Sequence, residues 1–116
     1  MTTPLSLLCQ LCGLSHREAA DYLGVSLDTV KAWSNGRNRT PPSVLVELAT
    51  LAREIDDFVA GAMEILRSRG STLDVNSVFR AGQAVAGDQH WPCAGVHRAA
   101  MARVLAGAIL DGRTVI

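Results

Sequence analysis

Residues 14–42 of this 116-residue chain read LSHREAADYLGVSLDTVKAWSNGRNRTPP, and their spacing predicts two short helices joined by a tight turn. Ala20 is small enough for a second helix to cross close to it, and Gly24, four residues later, tolerates the positive φ of a turn. Val25 then enters the core, while Val30 and Trp33 share one helical face. This pattern predicts a helix-turn-helix, whose second helix leaves its N-terminal side chains free for the major groove.

Both helices carry capping signals at their predicted ends. Ser15 and Glu18 form the S-x-x-E pattern of a capping box, which satisfies two unpaired backbone donors. Ser26 suits the N-cap of the second helix, and Asp28 places a negative charge in its first turn, where the helix dipole favours one. Asn35 and Gly36 are expected to end this helix.

The composition favours an all-α fold, in which Leu73 to Phe79 could form one short strand or a helical turn. Hydrophobic residues make up 48% of the chain but aromatic residues only 4%, and the apolar content is mostly Ala, Leu and Val. No apolar run approaches the length of a membrane span, and no basic stretch precedes the first apolar segment. Together with an odd number of cysteines, these features predict a cytoplasmic protein with no membrane partner.

Further helices are predicted on both sides of the central pair. A first helix, Leu5 to Cys12, has Leu5, Leu8, Leu11 and Cys12 on one face, and Gly13 ends it. Thr40 is expected to cap a fourth helix that has Pro41 at its first position and runs to about Arg69. Trp91 and Pro92 introduce a last helix that ends near Leu110.

The fourth helix carries an apolar seam that has two interpretations. Its members recur in steps of three and four: Leu48, Leu51, Ile55, Phe58, Ala62 and Ile65. The seam could form core within one chain or contact a second subunit. We predict a DNA-binding domain at residues 1–69 and a C-terminal dimerisation region at residues 70–116.

Charge is distributed unevenly although the formal net charge is zero. A neutral chain argues against a nucleic-acid partner, because phosphate binding usually requires an excess of Lys and Arg. Lys31, Arg37 and Arg39 nevertheless fall within ten residues that contain no acid, whereas residues 41–70 carry five acids and three arginines. The positive charge is therefore concentrated where the motif would meet phosphate.

Helical geometry divides the candidate DNA contacts into two groups. The outward face of the second motif helix is expected to contact base edges through Leu27, Asp28, Lys31 and Ala32. Phosphate contacts are expected from His16, Ser26, Thr29, Asn35, Arg37, Asn38 and Arg39. Trp33 is expected to be structural, because it lies on the side opposite Asp28 and Lys31.

The residues from 5 to about 55, with the quoted stretch at their centre, resemble the Cro/C1-type (XRE-like) helix-turn-helix of phage repressors. That family often has Gln where His16 stands and Glu where Ser34 stands. The long fourth helix, the Trp before the last helix and the closing Gly-Arg-Thr-Val-Ile are similar to anti-CRISPR-associated phage autoregulators and their YdiL-like relatives. This second resemblance implies an N-terminal helix-turn-helix followed by a C-terminal dimerisation region.

Other kinds of chemistry have weaker support in the sequence. Cys9-x-x-Cys12, with Cys93 and His90 or His97, could form a zinc site or a thiol switch, but no second ligand pair has the usual spacing. Asp88, His90 and His97 lack a nucleophile or oxyanion feature, and no phosphate-binding loop is present. We therefore expect no metal, no cofactor and no enzymatic activity.

These observations predict a homodimeric transcription regulator that binds an inverted repeat of double-stranded DNA and represses its own promoter. One alternative is an antitoxin-like DNA-binding protein whose C-terminal half binds an unidentified protein partner. Another is a DNA-binding switch that responds to zinc or to thiol oxidation.

Overall fold

A computed structural model describes residues 2–67, 72–73, 91–112 and 114–115 of the chain. Five helices account for most of these residues, as the all-α expectation requires: α1 Pro4–Cys12, α2 His16–Leu23, α3 Leu27–Ser34, α4 Pro42–Arg67 and α5 Ala94–Leu110. Two short strands, β1 Thr72–Leu73 and β2 Thr114–Val115, pair in parallel. The segment predicted as a short strand or a helical turn, Leu73 to Phe79, overlaps β1 only at Leu73, and residues 74–79 lie outside the described ranges.

Helix α1 has a different buried face from the one expected. Leu5, Cys9 and Cys12 enter the core, whereas Leu11 is 48% exposed, so its assignment to the inward face was wrong. The spacing of four and three residues between the buried positions follows the helical repeat better than the predicted set. Thr3 and Ser6 form a capping box at the start of α1, which was not among the predicted caps.

The predicted ends of α2 and α3 are confirmed. The Ser15 hydroxyl accepts the Glu18 backbone N–H, and the Glu18 carboxylate accepts the Ser15 backbone N–H, so the capping box is complete. Ser26 accepts the Thr29 backbone N–H at 3.1 Å and caps α3. Gly24 and Asn35 are the C-caps of the two helices.

Helix α4 begins one residue later than expected. Pro42 occupies its first position, and the Pro41 carbonyl accepts the backbone N–H groups of Val44 and Leu45. The cap assigned to Thr40 was therefore wrong by one residue. The shift costs little free energy because proline has no N–H to leave unsatisfied at the first helical position.

The apolar seam of α4 belongs to the core of a single chain. Five of its six predicted members are buried: Leu48, Leu51, Ile55, Phe58 and Ala62. Leu66 is fully buried, while Ile65 is only partly buried, so the final step of the seam is one residue longer than predicted. Helices α1 and α5 pack along α4 and cover this face.

Helix α5 joins the same core as the other four helices. Val96, Ala100, Val104 and Ala108 are buried at helical spacing, and they form one apolar cluster with residues of α1 to α4. Trp91 precedes α5 and packs edge-on against Phe58, with ring centroids 5.2 Å apart. The proposed role of residues 70–116 in dimerisation stays a prediction. No helix in the described ranges is both long and apolar enough to span a membrane.

Candidate nucleic-acid interface

The connection between α2 and α3 has the compact geometry that its sequence predicts. Gly24 adopts a left-handed conformation, with φ of 70°, and its backbone N–H donates to the Ala20 carbonyl. Val25 donates to the same carbonyl at 3.0 Å, so the chain turns directly over Ala20. Three residues, Gly24 to Ser26, separate the two helices, and this short connection keeps α2 and α3 packed on each other.

Helix α3 has one buried side and one exposed side. Val30 is fully buried and Trp33 is 8% exposed, which confirms their predicted inward orientation. Asp28 and Lys31 are exposed on the other side, and Leu27 is partly exposed at the start of the helix. These three side chains form the surface of α3 that a DNA groove could contact.

Ala32 does not belong to this surface. It is only 2% exposed, so the prediction that its methyl group touches a base was wrong. The chain after α3 folds back toward it, because the Asn38 backbone N–H donates to the Ala32 carbonyl at 3.1 Å. The exposed arc of α3 is therefore narrower than the helical repeat alone suggested.

The loop after α3 presents two arginines. The Asn35 side-chain oxygen accepts the Arg37 backbone N–H at 2.9 Å, a local turn that fixes the start of the loop. Arg37, Asn38 and Arg39 are exposed. Among the described residues, no carboxylate lies within ion-pair distance of Lys31, Arg37 or Arg39. These cations are therefore available to an external anion.

Ser26 and Thr29, both predicted phosphate contacts, first serve the structure of α3. Their hydroxyl oxygens share a hydrogen bond of 2.7 Å, and the Ser26 oxygen also caps the helix. Ser26 is exposed and Thr29 is partly buried. The pair stabilises the end of α3 at which a phosphate would meet the positive pole of the helix dipole.

His16 and Ser34 connect α2 to α3. The His16 Nε2 and the Ser34 hydroxyl share a hydrogen bond of 3.1 Å, and the Thr3 hydroxyl donates to the Ser34 carbonyl at 2.9 Å. An open depression lies beside this contact, lined by Ser6, Cys9, Gln10, Leu14, Ser15, His16 and Ser34. A hydrogen bond between side chains thus joins the two positions at which the resembled family often has Gln and Glu.

Arg17 is an exposed cation outside the predicted set of phosphate contacts. It follows His16 in the first turn of α2, where a positive charge opposes the helix dipole. A positive charge in the first turn of a helix is slightly unfavourable, and this departure from the usual pattern could have marked Arg17 as a candidate functional residue. Because its neighbour His16 contacts Ser34 at the end of α3, we add Arg17 to Arg37 and Arg39 as a candidate phosphate contact.

The carboxylate of Glu18 links α2 to α5, a contact that no local sequence pattern indicated. It accepts the Ser15 backbone N–H at 3.2 Å and the Gly95 backbone N–H at 3.0 Å. These two donors, followed by a hydrogen bond with the Cys93 side chain, lower the pKa of Glu18 from 4.5 to about 2. The carboxylate thus keeps its negative charge at neutral pH.

The three cysteines have the properties of packed side chains. Cys9 and Cys12 are buried and Cys93 is partly buried, and all three are free thiols. Burial raises the pKa of Cys12 to about 11 and also raises those of Cys9 and Cys93, which opposes thiolate formation. His90 lies outside the described ranges, within which no three potential ligands converge on a metal site.

The surface formed by Leu27, Asp28, Lys31, Arg37 and Arg39 is the candidate interface. Its members are contributed by one short helix and the loop that follows it. No protein-family model, curated protein or solved structure significantly matches the chain.

Proposed function

We propose that this chain is a sequence-specific DNA-binding transcription regulator of the Cro/C1 helix-turn-helix type. The observation that carries the proposal is the two-sided character of α3. Trp33 and Val30 anchor one side in the core, while Asp28 and Lys31 are exposed on the other. An α-helix fits the major groove, so an anchored helix with free polar side chains can read base edges there.

The exposed side chains suit two different roles in this proposal. The Lys31 ammonium can donate to the guanine O6 and N7 atoms, and the Asp28 carboxylate can accept the cytosine N4 amino group. Leu27 can touch a thymine methyl group. Arg37 and Arg39, at the end of the same helix, would neutralise phosphates and hold α3 in register.

We further propose that two copies bind together as a homodimer. Helix α3 has eight residues and is about 12 Å long, so one copy reads only about four base pairs. Two copies of α3 placed about one helical turn apart would double the site and match an inverted repeat. Occupying a promoter in this way would exclude polymerase, so the chain would act as a repressor. The resemblance to anti-CRISPR-associated autoregulators implies that the promoter is its own.

Selection of bound duplexes from a random pool tests the proposal directly. We expect enrichment of an inverted repeat by the wild-type chain, and light scattering should give the mass of a dimer. The matched control carries Asp28→Ala and Lys31→Ala together, which removes two exposed side chains and leaves the core intact. Enrichment of no sequence by the wild-type chain, or of the same sequence by the control, would contradict the proposal.

A further inference from the structure

One carboxylate serves the N-termini of two helices in this protein. Glu18 is the third residue of α2 and completes its capping box through Ser15. Its other oxygen accepts the backbone N–H of Gly95, the second residue of α5, which lies 77 positions away in the chain. The two helix starts therefore share one anionic acceptor.

Helix α5 relies on this shared acceptor because it lacks a side-chain cap of its own. Cys93 occupies its N-cap position and makes no capping hydrogen bond with its side chain. The first four N–H groups of a helix have no partner within the helix, and an anion is the acceptor that its dipole favours. The Glu18 carboxylate, which belongs to α2, provides this acceptor for α5.

The contact also brings the backbones of three elements together. A Cβ at residue 95 would overlap the Gly13 carbonyl oxygen and lie 2.7 Å from the nearer Glu18 carboxylate oxygen. Gly13 is the C-cap of α1, Glu18 lies in the first turn of α2 and Gly95 lies in the first turn of α5. The absence of side chains at the two glycines lets the carboxylate reach the α5 backbone directly.

We propose that Glu18 is a positioning residue that ties α5 to the α2–α3 pair, so that docking of α5 and affinity for DNA are coupled. The inference rests on the proposed function. Loss of the contact would leave the Gly95 N–H without its acceptor and remove one constraint on the orientation of α2. Because α3 packs on α2, the change would reach Asp28 and Lys31. Coupling is reciprocal, so DNA binding should in turn slow hydrogen exchange at Gly95.

The substitution Glu18→Gln separates the two roles of this side chain. Glutamine also completes a capping box, so α2 keeps its cap, but it has one acceptor oxygen where glutamate has two. We expect the Gly95 amide to exchange faster in this variant, as measured by NMR. We also expect affinity for the selected duplex to fall about threefold, because the carboxylate is partly open to solvent and the loss of binding is limited by what this contact contributes. Ser15→Ala is the matched control, since it removes the other half of the box and leaves both backbone donors of the carboxylate.

The outcomes distinguish this inference from the proposed function. If the wild-type chain selects no duplex, the proposed function fails and the coupling fails with it. If the wild-type chain binds DNA but Glu18→Gln leaves Gly95 exchange or DNA affinity unchanged, only the coupling is overturned. An equal loss of affinity in Ser15→Ala would also overturn it, because the effect would then come from the α2 cap alone.

Discussion

At each end of α2 the chain turns at a glycine with a positive φ, but the two glycines have different surroundings. Gly24 at its C-terminal end and Gly13 before its N-terminal end both have left-handed backbones, with φ of 70° and 75°. A Cβ at Gly24 would meet no atom within 4 Å, whereas one at Gly13 would lie 2.5 Å from the Gly95 carbonyl oxygen. The connection to α3 thus depends on local conformation, while the contact with α5 depends on close approach between distant parts of the chain.

The largest loss of stability is expected from truncating Trp33, which anchors α3 in the core. Trp33→Ala removes a side chain that is 8% exposed and should lower the free energy of unfolding by about 3–5 kcal/mol. Denaturant unfolding measures this loss, and DNA binding should fall only as the folded fraction falls. A Trp33→Ala chain of normal stability that no longer binds the selected duplex would mean that the indole contacts DNA.

The two left-handed glycines give a matched test of the comparison. Gly24→Ala should cost about 1–2 kcal/mol, because only the backbone conformation is disfavoured. Gly13→Ala should cost that amount plus about 1–3 kcal/mol for the overlap with α5. Equal losses in the unfolding free energy of the two variants would show that the close approach to Gly95 adds nothing.

Sequence patterns predict the α2–α3 end of the molecule well because its determinants are local. Ser15, Glu18 and Ser26 cap neighbouring residues, and Val30 and Trp33 follow the helical repeat. Each signal operates within one or two helical turns, so spacing alone identifies it. The candidate surface of Leu27, Asp28 and Lys31 follows from the same repeat, because the side opposite a buried stripe faces outward.

The features that spacing missed depend on contacts between segments. Ala32 is buried although it was expected on the exposed arc, and the returning loop bonds its carbonyl through the Asn38 N–H. Leu11 is exposed because α4 and α5 pack on the side of α1 that carries Leu5, Cys9 and Cys12. The helical repeat gives relative orientations within one helix, but the partners of that helix decide how wide its buried face becomes.

Substitutions on the candidate surface test whether the α2–α3 end of the molecule contacts bases and phosphates as proposed. Asp28→Ala and Lys31→Ala should each change the preference for particular bases by about 1–3 kcal/mol. Arg17→Ala, Arg37→Ala and Arg39→Ala should instead weaken binding to all duplexes alike and flatten its salt dependence. Titrations against the selected duplex and single-base variants, at several salt concentrations, separate the two behaviours. A sequence-independent loss in all five variants would refute the division into base and phosphate contacts.

The smallest change in stability is expected from protonating the Glu18 carboxylate, which caps both α2 and α5. This experiment tests the contact between α2 and α5. The pKa of Glu18 is lowered from 4.5 to about 2 in the folded chain, chiefly by the Ser15 and Gly95 backbone N–H groups. A carboxyl group with a lowered pKa in the folded state binds its proton more weakly there than in the unfolded chain. Its stabilising contribution is therefore complete above pH 4.5 and disappears as the pH falls toward 2.

We expect this contribution to be below about 1 kcal/mol, because the carboxylate is partly open to solvent. The measurement is the pH dependence of the unfolding free energy of the wild-type chain minus that of Glu18→Gln, which cannot titrate at this position. The difference should be constant above pH 5 and should shrink in the acid range, while the Gly95 amide resonance of the wild-type chain shifts over the same interval. A difference that stays constant through that range would mean that the shared carboxylate does not hold α5, and the contrast between the two ends of α2 would then rest on the glycine backbone alone.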